Sequence, residues 1–283
     1  MGIYSALHQL HTKGEVVEVR GLKTKELTDF RYCLPPRQRF QSFDHRKLKL
    51  DYVKQEFVWY LRGDKFDISI KNIASMWDDL INTDGSINSN YGYYIFNQQT
   101  SPGHASNFAR CVETLVRDKM SRRAAIMILD NGHLNSVTKD YPCTAYLNFL
   151  IRDNQLIMMV RMRSQDAIYG MGNDAPFFSF MQELMYVALK PVYPELEMGP
   201  YSHVADSFHV YERHFEMLEK IIDEPSMRVD LDVTCPHMSI NTPRVIDDML
   251  KGYAVRGQDA FVDWLITREN DMTLFGPEHK NDN

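Results

Sequence analysis

Apolar positions recur at helical spacing in four stretches of this chain. Residues 52–62 place their apolar side chains on one helix face, and Gly63 follows as a typical helix stop. By contrast, residues 80–92 are rich in Asn, Ser and Gly, which predicts a loop. The helical spacing predicts three further helices, over residues 106–119, 175–190 and 212–222.

Strands are predicted between these helices. Residues 144–151 and 155–163 have β-strand character, and Arg152-Asp153-Asn154 between them is typical of a hairpin turn. Shorter strands are predicted at residues 123–129 and 207–211, and residues 15–50 alternate β-like pieces with basic turns. Long helices mixed with hairpin-linked strands predict an α+β fold. The chain shows no repeat and no linker, so one domain over residues 1–283 is expected.

Charge excludes some functions. The formal net charge of the 283-residue chain is −6, which argues against the broad basic surface that direct nucleic-acid binding requires. A phosphorylated small molecule stays compatible with this charge, because a few local arginines suffice to bind it.

The cysteines indicate a reduced, cytoplasmic protein. They lie far apart and form no C-x-x-C pair: Cys33, Cys111, Cys143 and Cys235. The first residues carry no signal pattern, and no apolar run approaches the roughly 18 residues of a membrane span. No metal site is expected, because the histidines lack H-E-x-x-H or H-x-H spacing and Pro142-Cys143 lacks the second cysteine of a zinc deaminase.

Two short stretches suit covalent and anion chemistry. Cys143 follows Pro142 and is either a nucleophile or an inert core cysteine. Arg163 and Ser164 supply a fork of donors and a hydroxyl for an anion, or they form the solvated end of a strand.

Two further pairs have equally open interpretations. Arg122 and Arg123 precede a buried strand and point to opposite faces, so they are either solvated surface or part of a phosphate site. His209 and Tyr211 lie two apart on a strand and share one face, which suits either hydrogen bonding to a sugar or core packing.

Taken in order, these pieces resemble the thymidylate synthase family over roughly residues 15–220, in particular through the spacing from Cys143 to Arg163. The matching pieces are Arg20, the helix from Glu56 through Trp59 to Asp64, Trp77-Asp78, Tyr91-Gly92, Arg122-Arg123, Pro142-Cys143, Arg163-Ser164-Gln165-Asp166 with Gly170, and His209-Val210-Tyr211. The resemblance implies a large mixed or mostly antiparallel sheet packed with helices, with one sheet face used for homodimerisation.

The resemblance also implies roles for these residues. Cys143 would add to C6 of a pyrimidine nucleotide, and Glu56 would organise water and proton transfer. The 5′-phosphate would be held by Arg20, Arg163 and Ser164, together with Arg122 and Arg123 of the neighbouring subunit. The sugar would contact His209 and Tyr211, and the folate co-substrate, 5,10-methylenetetrahydrofolate, would contact Asp166, Trp77 and Glu56.

The implied chemistry suits these residue types. A thiolate added at C6 makes C5 of the ring nucleophilic, so that C5 can accept a one-carbon unit. Cysteine is suited to this step because its thiolate is partly available near neutral pH, and the nearby Arg163 is expected to lower the thiol pKa further.

Departures from the family pattern point to cytosine. Asp174 stands where thymidylate synthases carry Asn, and a carboxylate accepts from the N4 amino group of cytosine but cannot donate to O4 of uracil. Asp174 could also protonate N3 as a general acid. Gly172-Asn173 before it and Thr144 after the nucleophile depart in the same direction as the deoxycytidylate hydroxymethylase branch. The polar end, residues 276–283, is ill suited to sealing out water.

These features predict a dCMP 5-hydroxymethylase, with catalytic Cys143, Glu56 and Asp174, that supplies a modified base for viral DNA in the host cytoplasm. Three alternatives within the family stay open: a dUMP hydroxymethylase, a thymidylate synthase or cytidylate methylase, and a CMP hydroxymethylase. A family member that only binds nucleotide or RNA is the alternative outside catalysis.

Overall fold

A seven-stranded mixed sheet organises the chain. The computed structural model describes residues 2–40, 43, 45–46, 48–98, 103–134, 139–223 and 235–267. The strands are β1 (Glu15–Val19), β2 (Leu22–Leu34), β3 (Ala125–Met127), β4 (Thr144–Arg152), β5 (Gln155–Met162), β6 (Gln165–Asp166) and β7 (Glu197–Tyr211). Their order is β1-β2-β7-β5-β4-β3, and β6 pairs with β7. Neighbouring strands are antiparallel except where β7 runs parallel to β5 and β6. The fold is therefore α+β with a mixed sheet, as predicted.

Helices cover one face of this sheet. They are α1 (Ile3–Lys13), α2 (Leu50–Arg62), α3 (Asn107–Arg117), α4 (Gly170–Leu189), α5 (Phe215–Asp223), α6 (Thr242–Leu250) and α7 (Ala260–Ile266). Helix α4 is buried along most of its length and packs against β5, β7 and three other helices. Among the described residues, no helix is both long and apolar enough to traverse a bilayer.

The strand pattern explains why one face is buried. Along β5, the side chains of Leu156, Met158, Val160 and Met162 are buried, and those between them are half-buried. Because side chains alternate across a strand, the first set faces the helices. The opposite face carries half-buried apolar residues on β4 and β5: Tyr146, Leu150, Ile157 and Met159.

Helix α2 ends where the sequence predicts. Gly63 adopts a left-handed conformation with φ of 59°, and its N–H donates to Trp59 O. A second glycine lies against the same helix: a Cβ on Gly92 would fall 1.6 Å from Tyr60 O. Gly92 thus allows the segment beginning at Tyr91 to pack directly on α2, which brings Tyr91 into stacking contact with Tyr60.

Two predicted elements differ in length. The strand predicted at residues 207–211 is the end of the 15-residue β7, whose earlier part contains Gly199-Pro200. That pair indicates a turn by sequence, but the Gln182 side chain donates to both Gly199 O and Leu156 O and so satisfies the irregular β5–β7 pairing. The helix predicted from residue 175 begins at Gly170, because Asp166 Oδ2 accepts hydrogen bonds from Tyr169 N and Gly170 N.

Candidate active site

The loop that carries Cys143 is anchored from the Asn- and Ser-rich segment 80–92. Asn82 Oδ1 accepts hydrogen bonds from the backbone N–H groups of Lys139 and Asp140, both at 3.0 Å. The buried Asp140 carboxylate in turn accepts from Ser89 N and Ser89 Oγ at 2.5 and 2.6 Å. Hydrogen bonds from a polar loop thus fix the backbone of the residues that precede Cys143. Cys143 itself lies directly before β4.

The β4–β5 hairpin brings Cys143 and Arg163 together. Thr144 pairs with Met162, and Arg163 N donates to Cys143 O at 2.8 Å. The Arg163 guanidinium donates to Pro142 O at 3.0 Å and to Tyr141 O at 2.6 Å, and its Nη2 lies 3.7 Å from Cys143 Sγ. The twenty-residue spacing in the sequence is therefore the length of one hairpin, as strand pairing requires.

The thiol of Cys143 is harder to ionise than the sequence suggests. Burial raises the pKa of Cys143 to about 11, and the carboxylates of Asp174 and Asp140 act in the same direction. Arg163 lowers this pKa, as expected, but its effect is smaller than that of burial. Burial therefore outweighs Arg163 in the free protein, contrary to the expectation of a thiolate partly available near neutral pH.

Asp174 lies inside the site, and none of the described residues forms an ion pair with it. It is the fifth residue of α4, and its Oδ2 accepts a hydrogen bond from Gln165 Nε2 at 3.2 Å. Burial raises the pKa of Asp174 to about 7, and the nearby Asp166 raises it further while Gln165 lowers it. A carboxyl group with this pKa exchanges its proton near neutral pH, so it can act as donor or acceptor towards a bound base.

Glu56 is the second acid of the site. It is buried on α2, and its Oε1 accepts from Tyr52 OH at 2.8 Å, while Tyr52 OH accepts from Trp77 Nε1 at 3.1 Å. Burial raises the pKa of Glu56 to about 8; the Tyr52 hydrogen bond lowers it and Asp174 raises it. An indole N–H is only a donor, so the Tyr52 hydroxyl must direct its own proton at Glu56.

Strands β6 and β7 place three further candidates side by side. Asp166 pairs with His209, and Ala167 N donates to His209 O at 2.7 Å. His209 is buried, its Nδ1 lies 3.1 Å from Ser207 Oγ, and its ring centroid is 5.1 Å from that of Tyr211. Burial raises the pKa of Tyr211, with smaller electrostatic contributions from Asp166, Cys143 and Arg163, so Tyr211 shares the electrostatic environment of these three groups.

The remaining predicted residues lie at the margin of the site or outside it. Ser164 is half-buried directly after Arg163. Arg20 is exposed at the tip of the β1–β2 hairpin with φ of 53°, and within the described residues no hydrogen bond joins its side chain to the site. Arg122 and Arg123 are exposed and line a surface groove with His104, Arg110 and Arg117. Within one chain, the structure does not bring Arg20, Arg122 or Arg123 to Cys143.

Two important groups were missed by the sequence analysis. Tyr52 precedes Glu56 by four positions on one helix, so the i, i+4 rule could have indicated their contact. Gln165 lies within the Arg163–Asp166 motif, but its contact with Asp174 depends on how β6 packs against the start of α4, which no local pattern reports.

Alkylation tests the surroundings of Cys143. We predict that the rate of reaction of Cys143 with iodoacetamide rises about tenfold per pH unit through the neutral range, without a plateau, because only the thiolate reacts. Arg163→Gln is expected to slow the reaction at each pH, since Arg163 lowers the thiol pKa. Peptide mass spectrometry distinguishes Cys143 from the fully buried control Cys111. A rate that levels off near neutral pH would show that the pKa is not raised.

Comparison with known proteins agrees with this geometry. Residues 4–261 match the family model described as thymidylate synthase. A curated relative, deoxycytidylate 5-hydroxymethyltransferase of Enterobacteria phage T6, is 27% identical over 221 residues, which covers 74% of this chain and 85% of that protein. The proteins of the same description from Enterobacteria phages T4 and T2 are each 26% identical over the same lengths.

The match to the family model extends from the first helix to the last described one and includes the hairpin, the cysteine loop and both acids. The chain therefore belongs to the thymidylate synthase family and is a one-carbon transferase acting on a pyrimidine nucleotide.

Proposed function

We propose that this protein is a dCMP 5-hydroxymethylase. It transfers a one-carbon unit from 5,10-methylenetetrahydrofolate to C5 of dCMP, adds water, and releases 5-hydroxymethyl-dCMP and tetrahydrofolate. The product would supply a modified base for DNA synthesis, in the host cytoplasm if the protein is viral. The observation that carries the proposal is the placement of a carboxyl group, Asp174, in the electrostatic environment of Cys143 and Glu56.

The state of Asp174 suits the hydrogen-bonding edge of cytosine. Cytosine presents an amino donor at C4 and an acceptor at N3, so a carboxyl group that holds its proton near neutral pH can accept from the first and donate to the second. The raised pKa of Asp174, about 7, supports this pairing. The curated relatives support it too, because their descriptions specify deoxycytidylate.

The residues of the chain divide the chemistry between them. Cys143 Sγ adds to C6, which makes C5 nucleophilic, and Asp174 stabilises the electron-rich ring by sharing its proton with N3. Glu56 receives and returns protons at the ring, because its pKa of about 8 lies near the working range. The folate supplies the carbon at the oxidation level of formaldehyde.

Asp166 and Trp77 fit a role on the folate side. Asp166 Oδ2 is occupied by the backbone of Tyr169 and Gly170, but its Oδ1 is buried and has no hydrogen-bond partner among the described residues. A buried acceptor without a donor suits the N–H groups of a pterin. Trp77 is buried, and its indole N–H donates to Tyr52, so its ring is held in one orientation beside Glu56.

The phosphate and sugar would lie on the Arg163 side of Cys143. Arg163 and Ser164 would bind the phosphate and His209 and Tyr211 the sugar, with Arg20 reaching in from its hairpin. The exposed Arg122 and Arg123 would complete the phosphate site of a partner subunit. The half-buried apolar face of β4 and β5 supports a homodimer, because such a face is typical of an association surface.

The nature of the product tests the function directly. The purified protein is incubated with 5,10-methylenetetrahydrofolate and equal amounts of dCMP, dUMP or CMP, and the nucleotides are analysed by mass spectrometry. We expect dCMP to gain CH2O and tetrahydrofolate to be released. A gain of CH2 with dihydrofolate would make the protein a methylase. Preference for dUMP or CMP would assign a different substrate, and an unchanged nucleotide would favour a binding role only.

Changing Asp174 tests base selection. Asp174→Asn should shift the ratio of kcat/KM for dCMP to kcat/KM for dUMP towards dUMP, because an amide can both donate to O4 and accept from N3-H. The loss of the matched pair of hydrogen bonds to cytosine is expected to change this ratio roughly tenfold or more. An unchanged ratio would show that Asp174 does not read the base.

Changing Tyr52 tests how Glu56 is tuned. Tyr52→Phe removes the hydrogen bond that lowers the pKa of Glu56, so this pKa should rise above about 8. The rising limb of kcat/KM against pH is therefore expected to move to higher pH, by about one unit. Tyr193→Phe is the control, since Tyr193 OH donates to Leu115 O, away from the site. Superimposable profiles for wild type and Tyr52→Phe would exclude this role.

A further inference from the structure

Gln165 has a fully buried side-chain amide, which contacts the carboxyl group of Asp174. Its Nε2 lies 3.2 Å from Asp174 Oδ2, 3.3 Å from Tyr32 OH and 3.6 Å from Met162 Sδ, and its Oε1 is buried with no hydrogen-bond partner among the described residues. An amide nitrogen carries two hydrogens, and a thioether sulfur is only a weak acceptor, so one hydrogen can go to each of the two oxygens. Gln165 lies on β6, which is paired with β7, and its backbone position is therefore set by the sheet.

Tyr32 fixes the other side of the amide. It is buried on β2, and its ring stacks on that of His203 with centroids 4.9 Å apart. The Tyr32 hydroxyl forms hydrogen bonds with both Gln165 and Tyr201. Because Tyr32 and His203 lie on paired strands, this stack is part of the rigid sheet. The Gln165 amide is consequently held between Tyr32 on the sheet and the carboxyl group of Asp174.

A donor held against one carboxyl oxygen restricts what the other oxygen can do. A free carboxyl group can present itself to cytosine or to uracil, because it can rotate and can carry its proton on either oxygen. The Gln165 N–H keeps the proton off Oδ2, so a protonated Asp174 carries it on Oδ1. Oδ1 is then the donor and Oδ2 the acceptor. For a base bound in one orientation, this arrangement can match either cytosine or uracil, but not both.

We propose that Gln165 is a specificity-determining positioning residue, which fixes the hydrogen-bonding pattern of Asp174 to the one that fits cytosine and excludes uracil. This inference rests on the proposed function. It extends base selection from a single side chain to a pair, in which Asp174 touches the base and Gln165 sets how Asp174 is presented.

The chain offers a matched control. Gln182 is also fully buried, and its Nε2 also donates to buried acceptors, the backbone oxygens of Leu156 and Gly199. These acceptors belong to the β5–β7 pairing and not to Asp174. Gln165→Met and Gln182→Met remove the same buried amide, so loss of stability is common to both and loss of base selection is specific to the first.

The experiment compares kcat/KM for dCMP and for dUMP in wild type, Gln165→Met and Gln182→Met. Gln165→Met is expected to reduce the preference for dCMP roughly tenfold, mainly through increased use of dUMP, while Gln182→Met keeps the wild-type ratio. Gln165→Glu, which is nearly isosteric and replaces the donor with an acceptor, should reduce the ratio as well and serves if Gln165→Met does not fold.

A double-mutant cycle makes the test specific. In an Asp174→Ala background, which removes both carboxyl oxygens, Gln165→Met should leave the ratio of the dCMP and dUMP binding affinities unchanged, because the interaction it removes is with Asp174. A wild-type preference for dCMP that Gln165→Met and Gln165→Glu both retain would overturn the inference and leave the proposed function intact. A wild-type protein that does not use dCMP would instead overturn the proposed function.

Discussion

Two carboxyl groups held without a cation among the described residues, Glu56 buried and Asp174 half-buried, are the constraint on which this site depends. Among the described residues, neither Glu56 nor Asp174 forms an ion pair, and burial is the main cause of the raised pKa of each. Each instead accepts a hydrogen bond at one oxygen from a neutral donor, Tyr52 or Gln165. Within the part of the chain that the structure describes, neither carboxyl group accepts a second hydrogen bond. The surrounding structure therefore supplies acids that are poised near neutral pH and have a defined orientation.

This arrangement is obtained at the expense of stability. Both acids have a higher pKa in the folded chain than in the unfolded one, so their contribution to the free energy of unfolding is complete below the unfolded pKa. It is lost as pH rises through the folded values, about 7 for Asp174 and about 8 for Glu56. Such a loss is typical of functional sites, which keep groups that a stability optimum would remove. The anchored loop before Cys143 and the locked hairpin around Arg163 hold the site in shape.

The local sequence pattern was sufficient to predict the helices, strands and site motifs. It was not sufficient to predict the length of β7 or the pKa of the site residues. Helix α2 with its Gly63 stop and the β4–β5 hairpin follow from periodicity and turn chemistry, and the Cys143–Arg163 pairing follows from that hairpin. The length of β7 was not predictable, because the Gln182 side chain satisfies its irregular pairing from a distant helix. The thiol pKa of Cys143 was misjudged for a related reason: burial is a property of the assembled core. The polar end at residues 276–283 lies outside the described residues.

The central claim is that a carboxyl group beside a nucleophilic sulfur selects cytosine. A crystal structure of the protein with bound dCMP tests it most directly. The account predicts that C6 of the base lies next to Cys143 Sγ and that the N4 amino group and N3 both face the Asp174 carboxyl group, whose Oδ2 still accepts from Gln165. A base whose amino edge is turned away from Asp174, or that lies far from Cys143, would contradict the account.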